Sequence, residues 1–379
     1  MQPILQAALS KEHYSGDIAR FLKMIATLNT IAGQPLGKAV IPEIAKPILS
    51  DTTSVQNTKF LFATGRELEF KDNTSDAALL YSKIKDEYSW DNNDVFWKTK
   101  RMHHTLYADF YYDYFFYIDA WYTPQQLAAL IQQIESNTGH SKFNDWLYAK
   151  VKSQLPRLYD LLGTKYIRKN QLENAKDAFS KVVDTLWTSQ EYPFITYLDA
   201  NPFYTNMYNE HNTIAEDSIS YNKLEITEKL LEYLHRAANT NNTNREYDYF
   251  VAANCYLNMT QYGNSWMMRR YYWTNYPRKT TGLEDDDEYY KANLAKQYYL
   301  KAKEVSKNEM FAALCLRMAG RCEKYALLLE EDADPFKAFK QNKYYTKLKQ
   351  EYPQHYEELV SNCQSFNKYF AKWQAGNSK

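Results

Sequence analysis

Apolar residues recur every three or four positions through most of the 379 residues, the spacing that puts them on one face of an α-helix. Such stripes predict helices over Ile18 to Ile31, Met102 to Tyr122, Gln125 to Ser136, Lys223 to Ala238 and Met310 to about Leu329. Asp334-Pro335 reads as the N-cap and first residue of a further helix. A last stripe, Leu359, Cys363, Phe366 and Phe370, predicts a capping helix over 355–373. Only 10 glycines and 11 prolines punctuate the chain, too few for an all-β protein of this length, so long helices are favoured. The main non-helical interval runs from Tyr192 to Asn212. It holds Asn201-Pro-Phe-Tyr-Thr-Asn and is expected to be an ordered loop packed by its own aromatics.

The pattern repeats. In Pro156 to about Gln190 a first helix carries Tyr159, Leu162, Gly163 and Tyr166. A polar turn, Arg168-Lys169-Asn170-Gln171, leads to a second helix with Ala175, Phe179 and Val182. Gly163 and Ala175 are small where the helices must touch, and Tyr166 and Phe179 fill the volume beside them. Residues 58–91 repeat the register: Gly65, Leu68, the turn Lys71-Asp72-Asn73-Thr74, then Ala77, Tyr81 and Ile84. A third unit, 249–305, is split. Tyr249, Ala252, Ala253 and Tyr256 suit a first helix and Ala295, Tyr299 and Ala302 a second, with an insertion of about 263–287 between them.

This spacing resembles the tetratricopeptide repeat. The resemblance implies an all-α, TPR-like α-solenoid of antiparallel helix pairs, read as a single helical-repeat domain over 1–379. It also implies that first helices line a concave face. That places Lys59, Phe62 and Arg66 on the face in one unit and Arg157, Asp160, Thr164 and Arg168 in another. The aromatic, Asn-rich texture resembles helical-repeat proteins of Bacteroidota envelopes.

Composition adds two points. Net charge is zero with a pI near 7, so nothing global attracts polyanions and no nucleic-acid partner is expected. The 35 tyrosines suit wet helix seams, and also surfaces on which rings stack against sugars or peptides. Cys255, Cys315, Cys322 and Cys363 read as small buried hydrophobes. No run reaches transmembrane length. The N-terminus lacks a signal-peptide pattern, which points to the cytoplasm if the chain is complete and to the periplasm or outer membrane if a leader was trimmed.

Chemistry is sparse. The motifs GxSxG, GxxxxGK[ST], HExxH and GxGxxG are missing, and neither cofactor nor metal is expected. His103-His104 point about 100° apart on a helix and suit a solvated edge. Asp109 and Asp113 stand one turn apart and could serve as acid and base of a carbohydrate-active enzyme on a helical toroid. The run Glu284 to Glu288 lacks the alternating ligands of a calcium loop and suits a helix start.

The insertion is the richest stretch, with Trp266, Arg269, Arg270, Tyr271, Tyr272, Trp273, Tyr276, Arg278 and Lys279. Rings interleaved with arginines can form a binding surface. Folded back, the same residues would plug the array, with the arginines paired to Glu284–Glu288. The leading expectation is a non-catalytic scaffold. It would bind a protein or peptide through the TPR-like groove (Lys59, Phe62, Arg66, Arg157, Arg168) and the insertion (Trp266, Arg269, Arg270, Tyr272, Trp273). An envelope glycan-binding module is the first alternative and the enzyme the second.

Overall fold

The computed structural model describes residues 55–84, 114–139, 141–187, 201–205, 221–271, 283–329 and 334–361. The helices expected at Ile18–Ile31 and the pairs His103-His104 and Asp109/Asp113 lie outside the described residues, as do 362–373 of the capping helix. The described residues are all-α, with sixteen α-helices, one 3-10 turn and no strand. The chain divides into two compact units, Met1–Leu162 and Gly163–Lys379.

Unit 1 contains α1 (Val55–Glu69), α2 (Thr74–Tyr81), α3 (Tyr114–Trp121), α4 (Pro124–Glu135) and α5 (Lys142–Ser153), and α6 (Leu155–Arg168) begins in it. Helix α2 is the hub and packs on α1, α3, α4 and α5. That position explains why Ala77 to Tyr81 are all buried. Helix α4 starts where Thr123 and Gln126 close a capping box ahead of Pro124, and its buried stripe is Leu127, Leu130, Ile131 and Ile134.

Unit 2 holds the end of α6, then α7 (Leu172–Phe179), α8 (Asp184–Trp187), α9 (Lys223–Ala238), α10 (Arg245–Asn258), a 3-10 turn (Trp266–Met268), α11 (Asp286–Lys291), α12 (Asn293–Val305), α13 (Glu309–Leu327), α14 (Pro335–Gln341), α15 (Lys343–Glu351) and α16 (Pro353–Ser361). Packing here is serial: α7 on α9, α9 on α10, α10 on α12, α12 on α13, and α13 on α15 and α16. Helix α9 starts at the capping box of Asn222 and Glu225. Residues 249–258 and 295–305 lie in α10 and α12, which pack together with Ala252, Ala253, Ala295, Tyr299 and Ala302 buried, although the 34 residues 259–292 separate the two helices.

The two repeat-like units share a seam. A Cβ on Gly65 would come within 2.3 Å of Tyr81 Cε1, and one on Gly163 within 2.3 Å of Phe179 Cε1. They also share a turn. Asp72 (φ 58°) and Asn170 (φ 54°) are left-handed at the same register. The Asn73 N–H donates to Leu68 O and the Asp72 N–H to Glu69 O. The Gln171 and Asn170 N–H groups repeat this toward Tyr166 O and Ile167 O. Both first helices therefore end in a Schellman turn, which satisfies carbonyls the helix leaves open. A polar turn was legible in the sequence; its left-handed residue was not, because neither turn uses glycine there.

Gly163→Ala is expected to lower stability by about 1–3 kcal/mol through overpacking against the Phe179 ring. Adding Phe179→Leu should recover part of that loss. Urea denaturation of the two single variants and the double variant measures the coupling, and strict additivity would mean that the ring is not what constrains Gly163.

Candidate functional site

The sequence singles out the insertion, and its described residues form a buried charge cluster in unit 2. Gly263 starts it. A Cβ there would lie 2.1 Å from Asn258 Cα, so the chain turns back directly against the end of α10. The Ser265 N–H then donates to Asn258 O at 2.8 Å. The following 3-10 turn buries Met267 and Met268 and leaves Trp266 half-buried.

Arg269 and Arg270 come next, at 0% and 1% exposure. Asp285, the N-cap residue of α11, lies between them. Arg269 Nη1 donates to its Oδ2 at 2.8 Å, and Arg270 Nη1 to its Oδ1 at 2.5 Å. Arg270 Nη2 also reaches Asp286 Oδ1 at 3.3 Å, and its guanidinium lies 4.1 Å from the centre of the Tyr289 ring. Burial pushes the Asp285 carboxyl up, but the guanidiniums of Arg270, Arg269 and Arg168 outweigh it and hold the group below its ordinary value. Burial also dominates at Glu288, whose carboxyl is raised despite Arg269.

The cluster closes on the end of α6. Arg168 Nε donates to Arg269 O at 2.7 Å, and Arg270 Nη1 shares that carbonyl at 2.9 Å. Lys165 and Arg168 each stand 3.6 Å from a carboxylate oxygen of Glu284. The Tyr271 hydroxyl donates to Thr164 Oγ1 at 3.1 Å, and Lys223 Nζ at the start of α9 donates to the same oxygen at 2.8 Å. Lys223 lies 4.8 Å from the centre of the Tyr271 ring. Thr164 and Arg168 are thus covered by the insertion rather than open to solvent. Arg269 Nε and Nη2 and Arg270 Nε are buried without a hydrogen-bond partner among the described residues. Desolvation of the buried charges offsets much of the attraction in such a cluster, so its net stabilisation is small while the loss of one partner is costly.

The other singled-out residues are dispersed. Arg157 is half-buried and Asp160 fully buried. Phe62 packs on Tyr81, ring centres 5.7 Å apart. Arg66 Nη1 donates to Glu69 Oε2 and to the Tyr117 hydroxyl, both at 2.6 Å. Glu69 also accepts from the Tyr117 and Tyr122 hydroxyls, so it ties α1 to α3. Burial and then the Glu69 charge push both hydroxyls up, which keeps them as donors. Tyr272, Trp273, Tyr276, Arg278 and Lys279 and the side chain of Lys59 lie outside the described residues.

Sequence reasoning missed how the aromatic loop is held. Asn254 Nδ2 donates to Phe203 O at 3.0 Å. Asn258 Nδ2 lies within hydrogen-bond reach of Pro202 O, Tyr204 O and Thr205 Oγ1. Phe203 packs against Tyr221 and Tyr233, while Tyr204 stays 53% exposed. Tyr247, on the first turn of α10, is 55% exposed and close enough to Tyr233 to raise its hydroxyl further, after burial. The readable signal was a pair of asparagines one turn apart on a helix that is otherwise almost wholly apolar where buried.

Among the described residues no group of three His, Cys, Asp or Glu could hold a metal, and no helix is long and apolar enough to cross a membrane. Cys255, Cys315 and Cys322 are buried free thiols, and burial pushes the Cys322 thiol up to about 12. Protein-family models, curated proteins and solved structures give no match to this chain.

Proposed function

We propose that the chain is a non-catalytic scaffold of TPR-like helix pairs that binds a protein or peptide partner. The observation that carries this reading is the seam and Schellman turn repeated at a constant offset in 58–91 and 156–190. Two pairs built alike are the unit from which a repeat array extends, and such arrays offer preorganised surfaces rather than reactive centres. The serial packing of α7 through α16 supports the same reading.

Within the insertion, two of the arginines are engaged inside unit 2. Arg269 and Arg270 are committed to Asp285 and have no exposed surface to offer. The partner surface we assign is the tyrosine-edged face of unit 2: Tyr204 on its pinned loop, Tyr247, and Tyr233 with Arg236 lying 5.4 Å from its ring centre. Tyr and Arg on a rigid support are the residue types that dominate binding hot spots.

Affinity capture from the native source tests this with wild type and a Tyr204→Ser, Tyr247→Ser variant. A specific protein captured by wild type and depleted at least about tenfold by the variant, on the scale of one lost hot spot, supports the proposal. Equal capture by both moves the partner surface elsewhere. Absence of any specific protein removes the scaffold reading and favours an envelope glycan, for which exposed tyrosine rings are also suited. Titration of the same two proteins with oligosaccharides then decides that case.

A further inference from the structure

The carboxylates around Arg269 leave one edge of its guanidinium unused. Asp285 Oδ2 takes Arg269 Nη1 at 2.8 Å, and its Oδ1 is occupied by Arg270 Nη1. Glu288 lies close enough for the Arg269 charge to act on it, but its two oxygens accept from the Leu294 N–H at 3.1 and 3.0 Å. Tyr256 on α10 also feels that charge, and its hydroxyl donates to Asn170 Oδ1 at 2.7 Å. The remaining edge of Arg269, Nε and Nη2, is enclosed and finds no acceptor among the described residues, and the same holds for Arg270 Nε. Nε–H and one Nη2–H of a guanidinium run parallel in its plane, the fork that grips two oxygens of one anion. Enclosed donors left without an acceptor are costly, more so when they carry charge, and a bound ion is one of the few ways to satisfy them. The surroundings favour an anion, since the guanidiniums of Arg168, Arg269 and Arg270 all act on Asp285.

We propose that the Nε/Nη2 fork of Arg269 holds a small inorganic oxyanion, of the phosphate or sulfate kind, sealed in unit 2 where the insertion meets α10 and α11. Two oxygens of the ion accept from Nε and Nη2, and its charge answers a guanidinium that Asp285 shares with Arg270. A water would meet the fork with one uncharged oxygen, a poorer match on both counts. Because the fork is enclosed in the finished fold, the ion enters while the insertion closes and exchanges slowly afterwards. It is a structural ion, bound by the folded chain and not by the unfolded one, so it stabilises unit 2 in proportion to its occupancy. The site uses neither the repeat seam nor the tyrosine face and stands apart from the scaffold reading.

Slow exchange decides the form of the test. The full chain is unfolded in urea, desalted, and refolded in parallel with radiolabelled phosphate, with radiolabelled sulfate, and with sodium chloride alone at matched ionic strength. The expected result is an equimolar amount of one label kept through gel filtration, and the label kept names the ion. That ion should also raise the thermal melt over the chloride sample, by about 5–10 °C at a hundredfold excess over its dissociation constant. Arg269→Lys keeps a positive charge beside Asp285 but loses the fork, and should keep at least about tenfold less label. Both anions also stabilise proteins by exclusion from the surface, which acts on wild type and variant alike, so the difference between their melts is the readout. If Arg269→Lys does not fold, the Arg269→Met, Arg270→Met, Asp285→Leu protein replaces it and should fold without keeping label. Wild type that refolds without either label would overturn the proposal. Equal retention by a folded variant would do the same, as would a chloride titration that raises the melt as far as phosphate or sulfate does.

Discussion

Replacing Asp285 by alanine is expected to destabilise unit 2 by about 3–5 kcal/mol, the scale for removing one partner from a buried ion pair. The reason is what remains. Arg269 and Arg270 are fully buried, and three of their nitrogens already lack partners. Without Asp285 both guanidiniums lose their closest countercharge, leaving Arg270 a 3.3 Å contact to Asp286. Hydrogen exchange across α10 and α12 reads this loss, because those helices carry the fold around the insertion. Replacing the three residues together, as Arg269→Met, Arg270→Met, Asp285→Leu, should cost far less, since desolvation is removed along with attraction. An Asp285→Ala protein as stable as wild type would show the cluster to be ornamental.

The same group gives a pH dependence. The folded value of the Asp285 carboxyl is depressed. Its contribution is therefore fully present above the unfolded value of about 3.9 and is lost as pH falls through the folded one. Glu288 acts oppositely: its raised value means that stability falls slightly as pH rises from about 4.3 toward its folded value. Asp285→Ala should flatten the acid limb of the stability curve, and urea midpoints between pH 2 and pH 5 follow it.

Gly263→Ala is the second large effect, with an expected loss of about 3 kcal/mol or more. The atoms in the way are the backbone Cα, C and O of Asn258, at 2.1–2.3 Å from an added Cβ. At Gly163 a ring can tilt aside; here the last residue of α10 would have to move. Asn258 also holds the 201–205 loop through three acceptors, so the displacement should spread to Tyr204. Thermal melts quantify the loss. Tyr204-dependent partner capture should fall with it. A Gly263→Ala protein that melts like wild type would mean the turn relaxes without strain.

What could be read from the sequence was what local periodicity encodes. Lys223 to Ala238 was predicted as a helix and is one, because its stripe and its Asn222/Glu225 cap agree. Asp334-Pro335 begins α14 as its residue types require. The acidic run also starts a helix, α11. Its second role was not legible. Nothing local distinguishes Asp285 from Asp286 or Asp287, yet the first is buried between two arginines and the last is exposed. Likewise, Arg269 and Arg270 carry the same composition signal whether they face a partner or a carboxylate 15 residues on. Only the tertiary path of the chain decides between them.

That path has a consequence for the order in which the protein is made. Arg168 meets the carbonyl of Arg269 across 101 residues of chain, and Thr164 meets Tyr271 across 107. When α6 and α7 emerge from the ribosome, the segment that will cover Thr164, Lys165 and Arg168 has not been synthesised. At about 5–20 residues per second, that face stays wet for roughly 5–20 seconds. Its threonine and basic residues are suited to that interval, since water satisfies them. Closure of unit 2 is then a late, non-local step, and a truncation before Asp285 should leave the early helices formed but unlocked.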